Sequence, residues 1–581
     1  MTFWAFMRRY PAQHWPWYLS GLVALIITNY ITTLIPLKVK DIINGLTQSA
    51  NSLPNIQDPI IILIGLSLVL LVSRSLSRIL IFFPGRFVEY NLRNDLVKHL
   101  MTLSPTYFRS QKMGDLISRL INDIQSLRLL SALGYLHIIN TIMIYGLVLW
   151  QMIRISVPLT FWCLSPVPFV LIIVKMMAGK MYTYNEQTQV KLGGLTDFFV
   201  ESIGNIQLLK TYKSDQAFKD RLAIDNAEYR DLNIALSGIR STMFPFIGII
   251  SSLGLIILFL IGGRFIIQGQ MLLGDFVAFS AYITLLAWPT ASFAWIINII
   301  QRGLVSLKRI TAVLAETPDI QDSPLANPNN TLTTAPQIQI RDLTFAYEIN
   351  HPILHDISLT IASGQSLGIF GKTGSGKSTL AQLITRCEVI PNNKLFLNEL
   401  PIETYTLEES RKATSYVPQN PFLFSDTIAE NIAYSNTSDT PHTETVITAA
   451  KRACVENDIH SFPNQYETIN GEKGIILSGG QKSRIALARA YYKAHHILVL
   501  DDVLSAVDND TESELIKKMK IDKNPPTTII VAHRLSALQH CDQIIVLENG
   551  RISAKGTHEE LIKIPGIYQY TWQYQQLENT P

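Results

Sequence analysis

Apolar runs close to the length of a bilayer crossing recur along the first half of the chain and stop at Ile300. No other feature limits the fold as strongly. The runs cover roughly 17–36, 58–83, 134–154, 156–176, 242–263 and 273–299. A helix needs about 20 apolar residues to cross the hydrocarbon layer, so six spans are expected. No small-residue cleavage site follows the first run, and further runs do, so it does not read as a cleaved leader. Trp4, Trp15, Trp17 and Tyr18, with Arg8 and Arg9, fit an interfacial elbow ahead of it. Of the 581 residues, 48% are hydrophobic and only 16% charged, against about 25% charged in soluble domains. That balance argues against a purely cytosolic enzyme. The net charge of +3 is too small to call for a nucleic-acid partner. Cys163, Cys387, Cys454 and Cys541 have no metal or disulfide spacing and are expected to be reduced and buried.

Basic residues set the orientation. Arg86, Arg93, Lys98, Arg109, Lys112, Arg119 and Arg128 lie between the second and third runs. Lys180, Lys191, Lys210, Lys213, Lys219, Arg221, Arg230 and Arg240 lie between the fourth and fifth. Residues 44–57 have no Lys or Arg, and 264–272 only Arg264. The positive-inside rule then places the N-terminus, both long loops and the C-terminal half in the cytoplasm. Lys38 and Lys40, at the outer end of the first run, go against it. Residues 86–133 and 177–240 keep helical spacing, so they read as spans continued into water as hairpins, with tips near Pro105–Gly114 and Leu209–Phe218. Some 20 such residues reach about 30 Å. Arg74 and Arg78 read as lying near the cytoplasmic end of the second span, because a charge at mid-membrane costs about 2.5–3.5 kcal/mol. The other reading is a cavity wall that meets an anionic substrate.

Composition changes near Glu316. Residues 316–335 are rich in Pro, Asn, Thr and Asp and read as a linker, after a membrane domain over 1–315. The rest, 336–581, reads as a globular α/β domain. Its apolar strand from Ser366 to Phe370 runs into Gly371, Lys372, Thr373, Gly374, Ser375, Gly376, Lys377, Ser378 and Thr379, and a helical pattern follows. This is the phosphate-binding GxxxxGK[ST] loop in the context that its chemistry needs. Glycines let backbone N–H groups converge on phosphates, and the helix N-terminus adds positive potential. Lys377 would reach the β- and γ-phosphates and Ser378 would hold Mg²⁺. A second apolar strand, 496–500, ends in Asp501 and Asp502. Such a strand end sets a carboxylate beside the loop, where Asp501 can bind Mg²⁺. Between the two stands Leu477, Ser478, Gly479, Gly480, Gln481.

That LSGGQ pentapeptide resembles the signature of ATP-binding-cassette (ABC) proteins. With six runs ahead of one cassette, the whole chain resembles an ABC half-transporter of the multidrug-exporter type. The implied fold is a helical membrane domain with long cytoplasmic extensions, followed by an α/β cassette that binds ATP and Mg²⁺. By the same resemblance, Tyr347 stacks on adenine and Gln419 is the Q-loop glutamine that meets Mg²⁺. Glu472 would touch the coupling helices, Ser505 to Asp508 would form the D-loop, and His533 would be the switch histidine on the γ-phosphate. Gly114 to Asp123 looks like the segment after the first coupling helix. In this family Ser478, Gly479, Gly480 and Gln481 act on ATP held by another cassette, so a second half-transporter is implied as partner.

One position departs from the family. Where a glutamate usually polarises the attacking water, this chain has Asp502, shorter by one carbon–carbon bond, about 1.5 Å. A misplacement of about 1 Å can cost on the order of 100-fold in rate. An intact signature beside a shortened base resembles heterodimeric exporters with one degenerate and one competent site, and Asp501 and Asp502 ahead of the D-loop from Leu504 to Asp508 resemble the A-type subunit of the bacterial Mdl multidrug-resistance-like pair. The expected function is ATP-driven export of an apolar or amphipathic molecule across the inner membrane. The alternatives are a homodimeric lipid flippase, or an ATP-gated channel or regulator. Aspartate as a working base after a small backbone shift is the competing chemistry.

Overall fold

Long uninterrupted helical spacing makes the N-terminal half a set of helices that exceed a bilayer crossing. The computed structural model describes residues 2–48, 57–348, 351–435, 442–471, 477–520 and 524–578. A short α1 (Phe3–Arg9) precedes α2 (Trp15–Gln48) and α3 (Gln57–Leu100), with α4 (Pro105–Ser110) at the first expected tip. Next come α5 (Met113–Ile155), with π turns at Arg119–Asp123 and Leu130–Gly134, then α6 (Val157–Leu164) and α7 (Val167–Gly204). At the second expected tip is α8 (Ile206–Thr211); α9 (Asp215–Ile257) follows and α10 (Leu273–Leu314) closes the series. Pro36, Pro84, Pro245 and Pro289 lie inside these helices, which membrane helices tolerate because neighbours satisfy the freed carbonyls.

Among the described residues, four helices are long and apolar enough to cross a membrane: Phe3–Thr47, Gln57–Leu100, Met113–Ile155 and Leu273–Leu314. The expected spans 156–176 and 242–263 fall on α6–α7 and on the end of α9, where several side chains lie outside the described ones. Shorter apolar helices occupy Val157–Phe169 and Ser252–Ile267.

Contacts divide the chain into Met1–Met101 with Lys112–Glu316, and Thr102–Gln111 with Thr317–Pro581. In the first unit, small and hydroxyl side chains let helices approach closely, as membrane packing requires. A Cβ at Gly21 would lie 2.6 Å from Ile81, and Thr28 donates to Ser73 at 3.1 Å between α2 and α3. The buried Tyr282 of α10 donates to the Thr33 carbonyl of α2 at 2.9 Å. Lys40, one of the two cations against the orientation rule, pairs with Asp275 at 2.6 Å, so its charge is compensated within the protein. Nearer the far end of α10, buried Asp123 accepts from Ser306 (2.7 Å) and pairs with Arg309 (2.9 Å). The α7 and α9 helices pair through Lys191–Asp225 at 2.7 Å and a Phe198–Phe218 stack at 4.8 Å.

The second unit is built on two sheets. Runs of buried and mostly apolar residues, such as Ile497–Asp501 and Thr527–Val531, are what a parallel strand covered on both faces needs. Ten strands are described: β1 (Ile338–Glu348), β2 (His351–Ile361), β3 (Ser366–Gly371), β4 (Leu395–Leu397), β5 (Leu400–Pro401), β6 (Thr414–Val417), β7 (Ile497–Asp501), β8 (Thr527–Val531), β9 (Gln543–Glu548) and β10 (Arg551–Gly556). One sheet has the order β2-β1-β4-β5; the other has the order β10-β9-β3-β8-β7-β6. In the larger sheet, β9, β3, β8, β7 and β6 run parallel and β10 is antiparallel. The carboxyl ends of β3, β6, β7 and β8 therefore lie at one edge, where open parallel sheets bind ligands. The stretch read as a linker is fastened to this unit. Asn327 N–H donates to the Thr404 carbonyl at 2.9 Å, Leu332 N–H to Glu409 at 2.8 Å, and Leu332 is buried.

Among the described residues no disulfide joins the four cysteines. Cys163 and Cys541 are buried as expected, whereas Cys387 and Cys454 are only half-buried.

Candidate active site

The loop after β3 turns into the helix α11 (Lys377–Ile384). Gly374 and Gly376 take left-handed backbone angles, φ +82° and +96°, a region closed to most side chains. A Cβ at Gly376 would also meet Leu354 at 2.6 Å, and one at Gly371 would meet the Leu547 carbonyl at 2.3 Å. Lys372, Thr373 and Gly374 are exposed at the loop tip, while Ser375, Gly376 and Lys377 are buried. Lys377 Nζ curls back to donate to the Gly371 and Lys372 carbonyls at 2.8 and 2.9 Å. Burial pulls its pKa below the ordinary lysine value, partly offset by Asp502 and Asp501.

The strand ends close around this loop. Ser378 donates to Asp501 at 3.0 Å, joining α11 to the end of β7. Burial, then the neighbouring Asp502, pushes the Asp501 carboxyl above its usual range, against hydrogen bonds from Ser378 and Tyr416. Gln419, just past β6, donates to Asp502 Oδ2 at 3.2 Å. The other oxygen, Oδ1, is buried and has no hydrogen-bond partner among the described residues, and the same holds for Ser375 Oγ. Asp502 sits in the left-handed region (φ 53°, ψ 29°), where aspartate is several-fold enriched over bulkier residues. Its N–H donates to the Val531 carbonyl at 2.8 Å, which fixes the strand ends of β7 and β8 together two residues before His533.

The remaining expected residues divide into two groups. Tyr347, at the end of β1, donates to Thr379 (3.4 Å) and Gln382 (3.2 Å) and so stands beside α11. Ser505 donates to the Asp502 carbonyl at 2.8 Å, and Asp508 accepts from Thr511 N–H at 2.9 Å. None of the described hydrogen bonds of the signature residues reaches the phosphate loop. Ser478 caps the helix α12 (Gly479–Tyr492) in a reciprocal pair with Gln481, at 3.2 and 3.0 Å. Gln481 also donates to Asp458 at 3.0 Å. Ser478 and Gly479 are exposed, so this helix end is presented outward. Glu472 lies outside the described residues.

Two contributors escape motif reading. Tyr416 donates to Asp501 Oδ2 at 3.3 Å, although as a strand aromatic it looks like core. Gln575, on the last helix α13 (Ile567–Glu578), brackets His533. Its Oε1 accepts from Leu535 N–H (3.0 Å) and its Nε2 donates to the His533 carbonyl (3.2 Å).

Comparison with known proteins fits this geometry. Residues 18–290 match the family described as the ABC transporter transmembrane region, and 354–505 the family described as ABC transporter. The chain is 33% identical over 584 residues to the multidrug resistance-like ATP-binding protein MdlA of Escherichia coli (strain K12), covering 100% of this chain and 97% of that one. The chain belongs to the ABC transporter family. It is a half-transporter of this family, with a multi-pass membrane region and an ATP-hydrolysing cassette, homologous to MdlA-like proteins. It is also 31% identical to the ATP-dependent lipid A-core flippase of Legionella pneumophila (strain Lens), over 90% of this chain and 87% of that one. The fold matches a bacterial Atm1-family ABC exporter solved with ATP bound, with a TM-score of 0.80, 24% identity, and coverage of 98% of this chain and 99% of that one.

Proposed function

We propose that this half-transporter exports an apolar or amphipathic small molecule or lipid, as one half of a heterodimer whose two ATP sites are unequal. Six spans per half are expected, in the bacterial inner membrane, with the N-terminus and the cassette in the cytosol. The observation that carries the reading is Asp502. The position expected of the hydrolytic base holds a short carboxylate tied back to Gln419, while the signature expected to serve another cassette's ATP is intact, with Ser478 and Gly479 exposed.

Each residue then has a role. Lys377 leaves the loop carbonyls for the β- and γ-phosphates, and the N–H groups of the glycine loop and of α11 hold the remaining oxygens. Ser378, Asp501 and Gln419 would supply hard-oxygen donors of the kind Mg²⁺ accepts. The metal would supply charge neutralisation along the triphosphate. Asp502 would orient the water and His533 would meet the γ-phosphate, but the short reach of Asp502 leaves turnover at this chain's own loop slow. Ser478, Gly479, Gly480 and Gln481 complete the partner's site. ATP drives closure by its differential affinity for the closed pair, which switches the cavity from inward- to outward-facing.

The test is ATPase activity of the chain alone and together with the half-transporter encoded beside it. Activity per cassette should rise at least tenfold in the pair; equal activity refutes the heterodimer. The similarity to a lipid A-core flippase favours a homodimeric flippase as second reading, which that equal result would support. ATP-driven uptake into vesicles against a gradient separates either pump from an ATP-gated channel.

A further inference from the structure

The segment Thr102–Gln111 belongs to the same unit as the cassette, although more than 200 residues separate them in the chain. Its α4 helix delivers Arg109 to the cassette. The Arg109 guanidinium donates to Glu388 at 2.5 Å and lies over the Tyr347 ring, 5.1 Å from its centroid. Glu388 follows α11 closely and is 4% exposed; its other described partner is the Thr106 hydroxyl, at 3.0 Å, also from α4. A buried carboxylate needs a partner of opposite charge, so this one fixes where the guanidinium sits. Tyr347 is held at three points: its hydroxyl on Thr379 and Gln382, its edge-to-face contact with Phe345 at 5.0 Å, and Arg109 over the ring. It nevertheless stays 41% exposed.

We infer that Arg109 is a positioning residue for the adenine base: anchored by Glu388, it orients the Tyr347 ring on which the base stacks. This rests on the reading of Tyr347 as the adenine-stacking residue. An aromatic ring fixed before the ligand arrives loses less freedom on binding, and a cation over its face adds to its hold. The effect concerns the base alone, because neither Arg109 nor Glu388 touches the phosphate loop in any described contact. Base recognition in this cassette thereby depends on a helix contributed by the N-terminal half of the chain.

The experiment measures equilibrium binding of Mg-ATP and of magnesium with inorganic triphosphate, which has no base, to the full chain in lipid nanodiscs. Tyr347→Ala should weaken ATP and leave triphosphate unchanged. Arg109→Ala should weaken ATP about 2- to 5-fold, again with triphosphate unchanged. Since Arg109→Ala strands a buried carboxylate, the double variant Arg109→Met with Glu388→Met removes the guanidinium without that defect and should give the same loss. Arg109→Lys, which keeps a cation beside Glu388, should recover part of it. If Tyr347→Ala weakens ATP while both Arg109-lacking variants bind it normally, the inference fails and the stacking reading stands. If Tyr347→Ala changes nothing, the stacking reading fails and takes the inference with it. Equal loss of ATP and triphosphate in the Arg109 variants would mean a merely structural role and would also overturn the proposal.

Discussion

Gln419 donates to Asp502 at 3.2 Å across 83 residues of sequence. This contact places the two groups expected to handle water and metal within reach of each other, and holds the short carboxylate toward β6. Asp502→Glu extends the carboxylate by one methylene. Turnover at this chain's own loop should rise about tenfold or more, given the steep cost of a 1 Å misplacement. Single-turnover hydrolysis of bound ATP checks it. Unchanged turnover would mean that the reach of this carboxylate does not limit the reaction.

Burial raises the Asp501 carboxyl above its usual range, so its charge costs stability in the nucleotide-free protein. The sign follows from linkage. A carboxyl with a raised folded-state value destabilises once pH passes its unfolded value, with the full cost present above its folded value. Asp501→Asn should therefore raise Tm at pH 8 by about 2 °C or more, with the difference shrinking as the pH falls through the folded-state value of Asp501 toward the ordinary carboxylate range. The added stabilisation by Mg-ATP should shrink as well. A lower Tm at pH 8 for the nucleotide-free variant would contradict this.

Gln575 brackets the His533 loop through both ends of its amide. In the Asp502→Glu background, Gln575→Ala should slow hydrolysis about tenfold while ATP affinity stays within twofold. Gln575→Glu should slow it at least as far, because a carboxylate oxygen would then face the His533 carbonyl. A loss of affinity without a loss of rate would remove this residue from the switch.

Ser478 both caps α12 and stands exposed at its end. Ser478→Asp keeps the capping oxygen, since aspartate caps as well as serine, but adds a negative charge where a phosphate would lie. ATPase activity of the pair should fall about 100-fold with Tm nearly unchanged. Ser478→Ala should lose the cap as well, costing about 1 kcal/mol. Full activity in Ser478→Asp would exclude this helix end from a nucleotide site.

Apolar length marks four of the six expected spans in the membrane half, and the short helices at Pro105–Ser110 and Ile206–Thr211 overlap the two expected hairpin tips, the second only at its end. Lys40 looked misplaced in sequence because its partner, Asp275, lies on another helix. The linker composition concealed that Leu332 docks on the cassette. Tyr416 and Gln575 carry no motif: one is an aromatic in a strand and the other a glutamine in a polar C-terminal helix, and only their hydrogen bonds distinguish them.

By itself the amino-acid order determined the helices long enough for lipid, the left-handed glycine turn of the phosphate loop, the acidic strand end and the presence of a signature. These depend on periodicity, chain conformation and residue chemistry within a few turns of backbone. The tertiary structure alone decided that Gln419 meets Asp502, that Gln575 brackets His533 and that Arg109 covers Tyr347. Such meetings arise from the order in which parallel strands pack and from which buried charge must find a partner. That is a property of the whole fold, and no local window of sequence contains it.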